Sequence, residues 1–144
     1  MAIIQTMCTS FKAEVAQGLH NFTTGTGNVF KIALYVATAT LNADTTIYTS
    51  SGEVSSSGTN YTSGGIALTN ITPTTSGTTG YWSFQNATFS NVTLTCAGAL
   101  IYNSTNGNRA VCVLNFGSTI TKNASNLVIT FPSMGATDAV LRIS

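Results

Sequence analysis

One stretch constrains the fold more than any other: "GALIYNSTNGNRAVCVLNFG", residues 98–117. Two apolar runs flank "NSTNGN", and Asn106-Gly107 readily supplies the positive φ values that a tight chain reversal requires. The pattern predicts that 97–102 and 109–116 pair as an antiparallel hairpin. Period-two alternation recurs through most of the chain. In "VFKIALYVA" (29–37), Phe30, Ile32, Leu34 and Val36 share one face, while Lys31, Ala33 and Tyr35 share the other, as in a half-buried strand. The same reading places strands near 65–71, 81–85, 89–102, 109–116, 127–131 and 139–143, separated by Gly/Ser/Thr/Asn turn clusters.

Only the N-terminal region departs from this period. Phe11, Val15, Leu19 and Phe22 recur at steps of four, four and three, the stripe of one amphipathic helix. The helix is expected over 6–19, capped by Thr6 or Ser10, weakened at Gly18 and ended by Gly25 and Gly27, with Lys12, Glu14 and Gln17 on its wet side. Many short strands and one helix predict a mainly β chain: an antiparallel sandwich or jelly-roll-like domain, with residues 1–144 forming a single domain. The polar stretch "YTSSGEVSSSGTNYTSGG" (48–65) reads as an extended loop or hairpin at one end of the sandwich. Within it, Gly64 and Gly65 bend the chain into a strand rather than form a phosphate loop, because no lysine follows them.

Charge narrows the function classes. Only 6% of residues are charged, against roughly 25% in an ordinary soluble domain. The five cations Lys12, Lys31, Arg109, Lys122 and Arg142 and the four anions Glu14, Asp44, Glu53 and Asp138 show no cluster of either sign. Nucleic acid is therefore not an expected partner, since counterion release needs several cations facing one backbone. No apolar run is long enough to span a membrane, and the "MAIIQTM" start lacks the features of a secretory signal. Without an export signal, the sequons at Asn21, Asn60, Asn70, Asn86, Asn91, Asn103 and Asn123 read as a by-product of composition.

Side-chain chemistry for catalysis is sparse. His20 is the one histidine, and on a continuous helix it would lie about 18 Å from Cys8, too far to share a proton. The three cysteines Cys8, Cys96 and Cys112 fit reduced, buried thiols, with a Cys96–Cys112 disulfide across the hairpin as the alternative. No ligand spacing suggests a metal, and no cofactor is expected. A carboxylate pair for sugar hydrolysis would have to come from Glu53 and Asp138 on distant loops, and nothing in the sequence favours that. Trp82 and Phe84 share one strand face, which suits an aromatic core anchor better than an exposed hot spot.

The order "CTSFKAEVAQGLHNF", "FKIALYVATATL", "YTSSGEVSSSGTNYTSGGIALT", "GALIYNS" and "AVCVLNFG" resembles a family of small structural proteins encoded among the virion genes of tailed bacteriophages. The resemblance implies a non-enzymatic virion component assembled in the host cytoplasm. Foremost is a capsid cement or decoration protein that binds neighbouring major-capsid subunits as a homo-oligomer, with a trimer expected. A tail, neck or fibre-associated adaptor is the second reading, and a carbohydrate-binding module using Trp82 or Tyr61 the third. Candidate contact residues are Ile3, Ile4, Tyr48, Glu53, Tyr61, Trp82 and Ile143. A contact surface with so few charges predicts weak salt dependence.

Overall fold

In a computed structural model, which describes residues 2–132, 135, 137 and 139–143, the predicted hairpin is the longest feature. Its strands, β6 (Ala87–Asn103) and β7 (Arg109–Ile129), pair antiparallel from Asn103↔Arg109 at the turn to Ala87↔Ile129 at the open end. The turn uses positive φ at Gly107 (68°) and Asn108 (56°), one residue later than the Asn106-Gly107 reading placed it. The segments expected as separate strands at 109–116 and 127–131 belong to one strand as far as Ile129. The polar "GSTITKNASN" between them is not a turn. β7 passes through it with bulge-type register shifts, and Gly117 (φ 80°) and Ala124 (φ 46°) absorb the local distortion.

The remaining strands are β1 (Thr6–Met7), β2 (Phe30–Tyr35), β3 (Ile66–Ala67), β4 (Asn70–Ser76), β5 (Thr79–Phe84) and β8 (Leu141–Ile143). They form two antiparallel sheets, ordered β1-β7-β6-β2-β3 and β4-β5-β8, a mainly β, sandwich-like fold with one N-terminal helix. The run expected as one strand at 65–71 is divided between the sheets, with β3 in the first and β4 in the second. β4 carries no apolar alternation and contains Pro73. It is a strand because β5 pairs with it, through a register shift that accommodates the proline.

The helix α1 (Thr9–Ala16) is shorter than expected, and residues 6–7 are strand β1. Cys8 occupies the N-cap without a side-chain cap, so neither Thr6 nor Ser10 fills that role. Gly18, at φ 73°, ends the helix: its N–H reaches Val15 O (3.1 Å), and Leu19 N–H reaches Glu14 O (3.0 Å). These two bonds form a Schellman motif, which turns the chain back on itself before Leu19 can extend the helical stripe. Glu14, expected on the wet face, is buried, while Lys12 and Gln17 are exposed.

The core is aromatic where the two sheets meet. Phe22 stacks on Phe30 at 4.2 Å between centroids and packs against Trp82 at 5.2 Å, while Phe30 contacts Phe84 at 5.8 Å. Burying each such ring contributes about 2–3 kcal/mol. β2 is buried on both faces, since Ala33 and Tyr35 are as inaccessible as Ile32 and Leu34. The alternating pattern suggested one wet face, but the 48–65 loop lies over it. Val36 N–H donates to Gly52 O and Val54 N–H to Leu34 O, so residues 52–54 continue the edge cover that β3 begins at Lys31 and Ile32.

Candidate functional site

Two polar constellations stand out. The first joins α1 to the β6–β7 turn. Glu14 Oε1 lies 3.0 Å from His20 Nε2, and Glu14 Oε2 accepts from an Arg109 guanidinium nitrogen at 2.7 Å. On the other side of the ring, His20 Nδ1 lies 3.0 Å from Asn103 Nδ2. Asn103 Oδ1 accepts the N–H groups of Thr105 and Asn106, so its amide nitrogen must be the group facing the ring. Nδ1 is therefore an acceptor and Nε2–H the donor to Glu14, the neutral tautomer of a histidine.

Burial pushes the Glu14 carboxyl up, but hydrogen bonds from His20 and Arg109 and the Arg109 charge outweigh it and hold the carboxyl below its usual 4.5. A buried Glu–His pair can orient an acid–base catalyst. Here both imidazole nitrogens are committed to the chain, leaving none for Cys8. His20 lies beyond the helix and folds back onto Phe11, 4.8 Å between rings, so the distance argument from a continuous helix does not apply. What separates it from Cys8 chemistry is this committed bonding. The Cys8 thiol is pushed up to about 11 by burial and by the nearby Glu14 charge. The arrangement works as a clasp: one carboxylate ties the helix end, the 20–28 loop and the start of β7 together.

The second constellation centres on Glu53. Its carboxylate accepts the Tyr48 hydroxyl (3.0 and 2.8 Å to the two oxygens), the Ser63 hydroxyl (3.1 Å) and the Gly64 N–H (3.0 Å). Three more tyrosines hold the same loop. Tyr35 donates to Thr49 O and Tyr102 to Gly64 O, both at 2.6 Å, while the Tyr61 oxygen accepts Leu34 N–H at 3.0 Å. Tyr48 and Tyr102 stack at 4.8 Å. Burial raises all four phenols, Tyr102 to about 12. Replacing Glu53 by Gln should cost about 1–2 kcal/mol, because charge-assisted acceptance is lost. Tyr48, raised by burial and then by Glu53, should titrate at lower pH in that variant. Ultraviolet tyrosine titration together with hydrogen exchange of 48–65 checks both effects.

The candidate contact residues separate into distinct places. Tyr48 and Glu53 meet, with Tyr61 in the same folded loop. Tyr61 and Trp82 are 3% and 6% exposed, so neither ring offers a face on which a sugar could stack. Trp82 and Ile143 line one cleft of about 440 Å³ with Val15, Phe22 and Pro73, and Ile143 is exposed. Ile3 is buried, bridged to Leu41 and packed where a side chain at Gly98 would otherwise sit, whereas Ile4 is exposed. Asp138 lies outside the described residues.

Cys8, Cys96 and Cys112 are free and buried. Cys96 pairs with Ile120 and Cys112 with Ile101, so the alternative disulfide does not form. Burial raises the Cys96 and Cys112 thiols to about 11 and 12. Among the described residues, no three His, Cys, Asp or Glu side chains converge as a metal site, and no helix is long and apolar enough to cross a membrane.

The Glu14–His20–Asn103–Arg109 clasp was not anticipated from sequence. Glu14 and His20 are six residues apart, which is no helical neighbour spacing. The available signal was Gly18, which could have been read as the helix terminator that turns His20 back. Comparison of the chain with known protein families, with curated proteins and with solved structures finds no match.

Proposed function

We propose that this chain is a structural subunit of a phage virion, foremost a capsid cement protein that binds neighbouring major-capsid subunits. The observation that carries this reading is the outer face of the β6–β7 ribbon. Thr88, Thr93, Thr95, Thr121, Ser125 and Val128 are exposed, with no charge among them. The whole chain has nine formal charges on 7027 Å² of surface, about one per 800 Å², so such a face can be covered with almost no charge to desolvate. The His20 and Glu53 groupings support the same reading, because their hydrogen bonds hold loops in place. Cement of this kind acts by mass action, binding the assembled shell and so stabilising it.

The test is to locate the protein on purified virions by labelling and imaging. Copies distributed over the head surface are the expected result. Copies confined to one vertex would overturn the cement reading in favour of a neck or tail adaptor, and absence from the particle would overturn both. Shell binding should change little between low and moderate salt, since few ion pairs form. A collapse of binding over that range would contradict a charge-poor contact.

A further inference from the structure

Among the described residues, the five-stranded sheet has an open side along the second half of β7. β1 covers β7 only at Cys112 and Val113, and Gln5 reaches Asn115 by its side chain. Among the described residues, the β7 backbone from 118 to 129 hydrogen-bonds only to β6 and its side chains. Proteins usually blunt such edges with charge, proline or bulges. The bulges on β7 itself end at Ala124 and one on β6 at Ser90–Asn91 lies opposite Asn126, but residues 125–131, "SNLVITF", carry no charge, glycine or proline before Pro132. That composition is the signature of a segment that pairs with its own kind. Val128 at its centre is 50% exposed. A cleft of about 510 Å³, walled by Leu114, Phe116 and Ile120 and by Ala139 and Val140, runs beside it.

We infer that residues 125–131 are a strand-pairing site for a second copy of the chain, antiparallel, with the two-fold axis at Val128. The occupant follows from the edges the chain offers. β1 and β3 have two residues each and β8 three, while β4 is interrupted by Pro73 and a register shift. Among the described residues, only 125–131 offers an edge run long enough to pair with a copy of itself, and symmetric pairing brings no like charges together: Val128 faces Val128, Asn126 faces Thr130, and Leu127 faces Ile129. The contact is two-fold. It does not depend on where the protein sits in a particle.

Seven residues span about 23 Å, and a strip about 10 Å wide covers about 230 Å², against about 800 Å² per partner in a stable interface. Pairing is therefore weak for the free protein and becomes effective when copies are held close together. Covalent trapping reads such a contact directly. Paired Cα atoms at about 5 Å fall within disulfide geometry, and the native thiols are buried.

Mild oxidation of Val128→Cys should give disulfide dimers in large excess over Thr88→Cys and Thr130→Cys. Thr88 faces Val128 one strand inward, which puts its two copies about 14 Å apart, and the two Thr130 copies are about 13 Å apart. An equimolar mixture of Asn126→Cys and Thr130→Cys should cross-link as the heterodimer, which decides the matter independently of any change at Val128. Failure of both the Val128→Cys and the mixed pair to cross-link, or equal yields at every site, would overturn the inference.

Discussion

Replacing Gly65 by Ala should lower stability by about 3–5 kcal/mol and Tm by about 10 °C or more. Two independent costs combine. Gly65 sits at φ 81°, where an L side chain costs about 1–2 kcal/mol. A Cβ there would also overlap the Ile32 carbonyl oxygen and press on Ala33 Cα, and both are backbone atoms of the central strand β2. Neither can rotate away as a side-chain tip could. Relief requires moving β3 off β2, which would expose the edge that residues 52–54 and β3 cover together. Gly58→Ala supplies the control: its φ is 70°, but nothing lies within 4 Å of the added methyl. That variant should lose only the conformational cost, about 1–2 kcal/mol. Thermal denaturation of the two variants checks the difference, and similar losses would show that the close approach to Ile32 carries no weight.

Substituting Glu14 by Ala should cost about 2–3 kcal/mol, because it leaves His20 Nε2–H and the Arg109 guanidinium without their acceptor. The figure stays below that for a fully buried pair, since the Arg109 side chain is 39% exposed and water screens it. The effect depends on pH with a defined sign. Hydrogen bonds hold the folded carboxyl below its usual 4.5 against the opposing effect of burial, so the folded state binds the Glu14 proton less readily than the unfolded chain does. The contribution is fully present above that usual value and is lost as pH falls through the lower folded one. Wild-type stability should therefore decline in acid, and the gap to Glu14→Gln should narrow over the same range. Denaturant melts across a pH series measure this. A constant gap would show that the carboxylate charge is not what the clasp uses.

These two residues differ in how far the sequence foretells them. The paired Gly64-Gly65 predicts a sharp bend into a strand, and the chain makes it, with positive φ at both positions before β3. That bend is local and belongs to residues lacking Cβ. The role of Glu14 is not local. Helical spacing puts it opposite the apolar stripe, on the wet face, but Gly18 ends the helix early. His20, Asn103 and Arg109 then arrive from a loop and from the two ends of the β6–β7 turn. A buried carboxylate is tolerated only where donors converge on it, and convergence across 95 positions of chain leaves no trace in a linear pattern.

By itself, the sequence determined the period-two strands, a short N-terminal helix carrying Phe11 and Val15, the central hairpin and the charge-poor surface, because each depends on neighbouring residues or on composition. Tertiary structure alone decided that β7 continues through its polar middle, that the 48–65 loop folds over β2 on four tyrosines and Glu53, and that Tyr61 is buried, whereas the burial of Trp82 follows the strand alternation it shares with Phe84. It also decided which sheet edge has no partner strand among the described residues. Pairing partners and burial depend on residues far apart in the chain. The physical reason is that backbone hydrogen bonds and apolar area are satisfied by whichever segment lies alongside. In β7, β6 holds one side apart from the bulged 116–119, while among the described residues no strand pairs with the other side at 125–129.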